Sequence, residues 1–134
     1  MCKKKVTRYD LRVLKARSVY SELELNIHRI DSVETWAQLT GVSRSWLYKV
    51  MNELYGKNPK ILVREKRFEK MISILKNDPE ATGFFVAVEA GLKDEQALYK
   101  FLSRYYKTSL TRLRVGVIKS GLNELLYQHL KKNK

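Results

Sequence analysis

The stretch Ala37–Leu47 has the sequence AQLTGVSRSWL, and the stretch Ala87–Leu98, about fifty residues later, has the sequence AVEAGLKDEQAL. The two stretches share a spacing of three residue types. In each stretch an alanine precedes a glycine by four residues, and a leucine follows that glycine by six or seven. A small alanine lets two helices cross closely, and the glycine permits a left-handed backbone in the turn between them. The leucine holds the second helix against the first. This repeated spacing predicts two helix-turn-helix units, each presenting its second helix outward.

The rest of the chain also predicts helices, because apolar residues recur at three- and four-residue steps and only two prolines and six glycines interrupt them. We expect an all-α, homeodomain-like fold of two helix-turn-helix units, a long linker helix and an extra C-terminal helix. Its parts are predicted as 1–59 (N-terminal helix and first unit), 60–76 (linker helix), 77–114 (second unit) and 115–134 (basic C-terminal helix).

Individual elements follow from caps and apolar stripes. A first helix is predicted from about Thr7 to His28, and either Asp31 or Ser32 is expected to cap the second helix. Ser43, Thr82 and Asp94 are predicted caps of later helices. Side chains expected on the buried stripe of the first helix are Leu11, Leu14, Val19, Leu23, Ile27 and Ile30. Trp36, Phe68 and Phe101 are expected in the core.

The C-terminal helix is predicted to carry leucines on one face, from Leu122 to Lys134. That face either closes the core, contacts another protein or dimerises, and the sequence does not choose among these roles. The leucines in question are Leu122, Leu125, Leu126 and Leu130.

The charge is strongly positive and unevenly distributed. With 27 Lys plus Arg against 14 Asp plus Glu, the chain has a formal charge of +13. The net charge is +5 over residues 1–30, zero over 31–98 and +8 over 99–134. Such an excess points to a polyanionic partner, and for a domain this basic it favours nucleic acid. The basic ends are expected to supply most of the attraction to phosphates.

Several classes of protein are disfavoured by the sequence. There is no membrane-spanning apolar run and no signal-peptide core, so we expect a soluble, cytoplasmic protein. Cys2 stands alone, and His28 and His129 lie far apart in the sequence, so no metal site is expected. The Gly-rich phosphate loops, the nucleophile elbow and the zinc-protease motif are missing. We therefore expect neither an enzyme nor a cofactor.

Two stretches of the chain and part of the predicted linker helix resemble the DNA-binding region of a known family, the AraC/XylS transcription regulators. Met51–Pro59 (MNELYGKNP) is similar to the end of that family's first unit, and Arg64, Arg67, Phe68 and Glu69 to its linker helix. Val86–Leu92 (VAVEAGL), followed by Phe101, Arg104, Tyr105, Leu113 and Arg114, resembles its second unit. The similarity covers roughly Glu24 to Arg114. It implies binding of double-stranded DNA by two helix-turn-helix units, and regulation of transcription through contact with RNA polymerase.

Some residues depart from the family's pattern. Lys107 and Leu110 stand where the family usually has Gly and Pro, so the turn closing the second unit is expected to be made differently. The family's effector-binding or dimerisation domain is not visible in the sequence. The chain is therefore similar in length to stand-alone members, and control by its amount or by a partner is expected in place of a small-molecule effector.

An α-helix in the major groove reaches base edges with the outward side chains near its N-terminus. In the first unit these are Arg44, Ser45, Tyr48 and Lys49, of which Arg44 and Lys49 are the candidates for guanine. The family's base-contacting positions fall on Ser45, Tyr48 and Lys49. In the second unit the candidates are Glu95, Gln96, Tyr99 and Lys100, with Gln96 suited to adenine and Glu95 to cytosine. An acidic pair, Asp94 and Glu95, is also expected to weaken attraction to phosphates there.

Phosphate contacts are expected from basic side chains on the same face. The candidates are Lys57, Arg64, Arg104, Lys107, Arg112 and Arg114. Arg67 is set apart, because its place in an apolar helix favours a structural pairing with Glu69 or another carboxylate.

Two alternatives to sequence-specific DNA binding remain open. One is a protein-interaction module, in which a degenerate second unit or the leucine face of the final helix binds another regulator. The other is an architectural DNA-binding protein without sequence preference.

Overall fold

A computed structural model describes the backbone of residues 5–132 and their side chains, apart from Asn123 and Leu125–Lys132. Every regular element in this range is helical, so the all-α prediction is confirmed for it. The helices are α1 (Arg8–Leu25), α2 (Val33–Thr40), α3 (Arg44–Tyr55), α4 (Pro59–Asn77), α5 (Gly83–Glu89), α6 (Glu95–Tyr106) and α7 (Leu110–Lys132), with a short 3-10 turn at Ile27–Arg29 after α1. No helix in the described range is long and apolar enough to cross a membrane.

The chain forms two compact units, Met1–Lys66 and Arg67–Lys134, and the boundary falls inside α4. Leu62 and Val63 are buried in the core of the first unit, whereas Met71 and Leu75 are buried in the core of the second. The long helix predicted over 60–76 is present as α4. Each half of this helix is part of one unit's core.

The first unit begins with a capping box on α1. The Asp10 N–H donates to Thr7 Oγ1 at 3.1 Å, and the Thr7 N–H donates back to Asp10 Oδ2 at 3.0 Å. These bonds satisfy main-chain N–H groups at the helix start, which lies where the sequence predicted it. The helix ends at Leu25 rather than at His28, because the chain tightens into the 3-10 turn that buries Ile27.

Four of the six residues predicted on the buried stripe are buried, Ile27 and Ile30 among them, but the prediction is wrong for the first turns of α1. Val19 and Leu23 are buried, but Leu11 and Leu14 are exposed, and the buried residue one turn before Val19 is Ala16. At 100° per residue, Leu11 and Leu14 point away from the face that carries Ala16 and Leu23. That face packs against α2 and α3. A small side chain, Ala16, occupies the contact, and the leucines of the first turns face solvent.

The start of α2 is capped by Ser32, which resolves the alternative of Asp31 or Ser32. Ser32 Oγ accepts the Thr35 N–H at 3.2 Å, while Asp31 accepts a hydrogen bond from the Thr35 hydroxyl. Trp36 is fully buried, and its indole N–H donates to the Val19 carbonyl at 2.9 Å. The indole therefore fixes α2 on α1 by a directed contact as well as by its buried area.

The second unit is built around Arg67, whose side chain is only 7% exposed. Its Nη1 donates to the carbonyl oxygens of Ala90 at 3.0 Å and Gly91 at 2.9 Å. These carbonyls end α5, so the guanidinium satisfies acceptors that a helix terminus leaves without intrahelical partners. These bonds confirm a structural role for Arg67 through main-chain carbonyls, while the pairing with Glu69 or another carboxylate stays a prediction.

Aromatic residues also pack in the second unit. Phe68 stacks on Tyr106 with ring centroids 3.8 Å apart, and Phe101 is buried beside them. Phe68 itself is half-buried rather than fully buried. After α6, Lys107 adopts a left-handed conformation with φ of 51°. The turn that closes the second unit was expected to differ from the family's turn. It uses a lysine in a backbone region that normally favours glycine.

The C-terminal region is one helix rather than the end of a unit followed by a separate helix. The predicted boundary between 114 and 115 lies inside α7. Leu110 is buried and Val117 is half-buried, but Ile118 and Leu122 are exposed. Of the predicted leucine face only Leu122 is described. Cys2 and the side chains of Leu125, Leu126, His129 and Leu130 lie outside the described residues.

Candidate nucleic-acid interface

The turn between α2 and α3 is closed by two main-chain hydrogen bonds. Gly41 has a left-handed φ of 71°, and its N–H donates to the Gln38 carbonyl at 3.3 Å. The Val42 N–H donates to the Ala37 carbonyl at 3.1 Å. This pair of bonds is the Schellman arrangement, which ends a helix and turns the chain sharply. Ala37 is buried, as its predicted place at the helix crossing requires.

The turn between α5 and α6 has the same pattern. Gly91 has a φ of 83°, its N–H donates to the Val88 carbonyl at 3.0 Å, and the Leu92 N–H donates to the Ala87 carbonyl at 2.8 Å. Ala87 is fully buried. Both helix pairs therefore end their first helix through the residues that the sequence repeat singles out.

The second helices of the two pairs also begin alike. The Ser43 side chain accepts the Trp46 N–H at 3.0 Å at the start of α3, and the Asp94 side chain accepts the Ala97 N–H at 2.8 Å at the start of α6. The caps predicted at Ser43 and Asp94 are confirmed. The inward faces correspond at an offset of 51 residues: Leu47, Val50 and Met51 on α3, and Leu98, Phe101 and Leu102 on α6, are all buried.

The first turns of α3 expose most of the predicted base-contacting side chains. Arg44, Ser45 and Lys49 are exposed, whereas Tyr48 is half-buried and packs against the core of the first unit. The Arg44 guanidinium lies 5.3 Å from the centroid of the Tyr48 ring. A hydrogen bond with Tyr48 raises the pKa of Arg44.

The first turns of α6 present a different charge. Gln96, Tyr99 and Lys100 are exposed, and Glu95 is half-buried. The Tyr99 hydroxyl donates to Glu95 Oε2 at 3.1 Å, and this hydrogen bond raises the pKa of Tyr99. Glu95 and Tyr99 are thus bonded to each other within α6, which leaves Gln96 and Lys100 as the other exposed candidates for base contact.

One residue that the sequence analysis missed is Lys15 on α1. Its Nζ lies 5.0 Å from the centroid of the Trp46 ring, on the first turn of α3. Lys15 is exposed, and Trp46 is half-buried against the core. A basic side chain of α1 therefore stands beside the start of α3. The net charge of +5 over residues 1–30 was the available signal, but it did not point to one residue.

The predicted phosphate-contacting residues fall into two groups. Arg104, Lys107 and Arg112 are exposed. Lys57, also exposed, pairs with Glu65, its Nζ lying 2.8 and 3.0 Å from the two carboxylate oxygens.

Arg114 and Arg64 are half-buried, and Arg114 Nη1 donates to the carbonyl oxygen of Pro79. The bond of Arg114 holds α7 to the turn before α5, which gives this side chain a structural role that sequence spacing did not indicate.

No group of three or more His, Cys, Asp or Glu side chains in the described part of the chain could hold a metal ion. Comparison of the sequence with protein-family models and curated proteins, and of the structure with solved structures, found no match.

Proposed function

We propose that the protein is a sequence-specific DNA-binding regulator of transcription. In this proposal each helix pair is a homeodomain-like helix-turn-helix, and α3 and α6 enter successive major-groove segments about 34 Å apart on one face of the duplex. No cofactor takes part. Regulation follows from occupying the site and contacting RNA polymerase, and control comes from the amount of protein or from a partner.

The observation that carries the proposal is the repeated construction of the two helix pairs. In both, a glycine-centred turn of the same hydrogen-bond pattern leads to a helix whose inward face is buried and whose first turns are exposed. A helix presented in this way can enter a major groove with its N-terminal residues at base edges. The charge of +13 adds the attraction to phosphates that such docking needs.

The two reading helices are proposed to contribute unequally. Arg44 and Lys49 on α3 offer hydrogen-bond donors that pair with guanine. The start of α3, after the cap at Ser43, would also bring main-chain N–H groups close to the DNA phosphates. On α6 the corresponding first residue is Glu95, whose charge opposes phosphates. We therefore assign most of the sequence discrimination to α3, and a smaller part to Gln96 and Lys100 on α6.

Selection of DNA from a randomised pool tests the proposal directly. We expect an enriched motif with two blocks of specified bases separated by about one helical turn. The affinity for the enriched site should fall steeply as salt increases. If the pool yields tight, salt-dependent binding without an enriched motif, the protein is an architectural DNA binder. If binding is weak and independent of sequence, the interaction-module alternative is favoured.

A further inference from the structure

The outward face of α5 is apolar, although this helix already contributes its inward face to the core. Phe84, Phe85 and Val88 are 58%, 50% and 38% exposed. Val86 and Ala87, on the opposite side of the same helix, are fully buried. We call Phe84, Phe85 and Val88 the α5 patch. Two neighbouring exposed aromatic residues with a valine one turn later form the kind of contiguous apolar surface that marks an interaction site.

The first unit indicates that the fold does not require this patch. At the repeat offset of fifty residues, the positions of Phe84, Phe85 and Val88 correspond to Glu34, Thr35 and Gln38 on α2. Glu34 and Gln38 are exposed and Thr35 is half-buried. An equivalent helix that ends in the same turn therefore carries polar side chains where α5 carries apolar ones. The apolar residues of α5 serve something other than the folding of a helix pair.

The chain segment that carries the α5 patch is acidic, although Arg114 of α7 reaches its beginning at the Pro79 carbonyl. Between Asp78 and Glu95 the chain carries five acidic residues and one basic residue, in a protein whose net charge is +13. Glu89 lies one helical turn after Phe85. Glu95 lies against the start of α5, since a Cβ added to Gly83 would be 3.1 Å from its Cδ. A partner surface complementary to the α5 patch would therefore be an apolar stripe flanked by lysine or arginine.

Such a stripe is present on α7. Val115, Ile118 and Leu122, spaced by three and four residues on one face, are 41 to 54% exposed. We call these three residues the α7 stripe. Arg112 and Lys119 each lie one turn from Val115, and both are exposed. The α7 stripe is therefore apolar with basic neighbours, the opposite of the α5 patch in charge.

We propose that a second copy of this chain covers the α5 patch, and that the α7 stripe of one copy docks on the α5 patch of the other. Pairing of α5 with α5, or of α7 with α7, would bring like charges together, whereas α5 with α7 brings opposite charges together. The contact forms without DNA, and of the residues it uses only Arg112 is also a candidate phosphate contact. It can therefore fail while the proposed DNA binding holds, or the reverse.

Sedimentation equilibrium without DNA at low salt tests this inference. We expect the wild-type chain to self-associate below about 100 μM, and the association to weaken as salt screens the charges. The triple variant F84E/F85T/V88Q, which gives α5 the residues of α2, should be monomeric. The triple variant V115Q/I118Q/L122Q should also be monomeric, because glutamine preserves helix propensity while removing the stripe.

Mixing the two triple variants is the decisive measurement. One variant keeps the α7 stripe and the other keeps the α5 patch, so the mixture should form a one-to-one complex although each variant alone is monomeric. The exposed leucines of α1 offer a matched control: L11Q/L14Q removes apolar surface from the first unit and should associate like the wild type. Circular dichroism checks that each variant is folded.

A charge variant covers the case in which an apolar variant does not fold. R112E/K119E changes only exposed side chains, and it should raise the dissociation constant at least about tenfold at low salt, with the difference shrinking as salt is added. The inference is overturned if the wild type stays monomeric at about 100 μM. It is also overturned if V115Q/I118Q/L122Q alone still associates, or if the mixture of the two triple variants remains monomeric.

Discussion

Arg44 and Glu95 occupy the same position in the two outward-facing helices. Each directly follows the N-cap residue, and each lies one turn before a tyrosine that it contacts, Tyr48 in α3 and Tyr99 in α6. The same position thus carries a cation in one unit and an anion in the other. Because DNA phosphates attract the first and repel the second, the two units are expected to differ in their contribution to binding.

The first prediction concerns Arg44 and Lys49. Replacing either with alanine should weaken binding to the selected DNA site by about 1 to 3 kcal/mol and relax the preference at one base position. Fluorescence anisotropy with the site and with single-base variants of it measures both effects. The control is K76A, which removes the same charge from another exposed side chain, at the end of α4. An equal loss of affinity for the site and for random DNA would mean that these residues contact phosphates rather than bases.

The second prediction concerns the pKa of Tyr99. The hydrogen bond to Glu95 raises this pKa above its ordinary value of 10.0, so the phenol donates to the carboxylate at neutral pH and the interaction is lost as the pH rises through the raised pKa. Glu95→Gln should move the pKa back towards 10.0, because it removes the carboxylate that favours the protonated phenol. NMR titration of the Tyr99 ring measures this change. The same variant should bind DNA more tightly at low salt, because it removes a negative charge.

Third, Lys15 is predicted to contact phosphate beside the start of α3. Lys15→Gln should weaken binding to all DNA sequences about equally and reduce the slope of log affinity against log salt by about 1. Arg29→Gln provides a comparison, since it removes a positive charge from an exposed site in the 3-10 turn. An unchanged salt slope in Lys15→Gln would exclude the contact. Because Lys15 lies near the Trp46 ring, bound DNA should also alter tryptophan emission in the wild type.

The fourth prediction is that Arg67 stabilises the second unit. Arg67→Met should lower the free energy of unfolding by about 2 to 4 kcal/mol, because the carbonyls of Ala90 and Gly91 lose a charged donor while remaining inside the protein. Urea denaturation followed by circular dichroism measures the loss. Arg104→Met, at an exposed position of α6, should change the stability by less than about 0.5 kcal/mol. Equal stabilities of the two variants would contradict this role of Arg67.

A fifth prediction follows from the backbone of Lys107. Glycine has no Cβ to disfavour a positive φ, so Lys107→Gly should raise the free energy of unfolding by up to about 1 kcal/mol. Gly41→Ala makes the reverse change at a left-handed position and should lower it by about 1 kcal/mol. Thermal unfolding of both variants measures the two effects. A loss of stability in Lys107→Gly would show that the lysine side chain matters more than its backbone strain.

Local features of the fold were predictable from the sequence. The caps Ser43, Thr82 and Asp94 and the left-handed turn at Gly41 depend on residues within a few positions of one another, so their chemistry is visible in the sequence. Periodicity alone did not determine which face of α1 is buried. Leu11 and Leu14 satisfy a helical stripe, but the face that packs is set by the distant helices α2 and α3.

The candidate interface was predictable to a similar degree. That Arg44, Ser45 and Lys49 are exposed followed from the apolar residues on the other side of α3. The contacts of Arg114 with Pro79 and of Lys15 with Trp46 link residues far apart in the sequence, and no local pattern indicates them. The Lys57–Glu65 pair spans a break between helices, where spacing rules for a single helix do not apply.

Trp36 and Trp46, the only tryptophans of the chain, both belong to the first unit. Their intrinsic emission therefore reports on that half without any label, while the far-ultraviolet signal sums over both. A destabilised second half would separate the two optical melting curves, and coincident curves would mean that the halves unfold together. The distribution of two indoles thus gives this molecule a native probe of cooperativity.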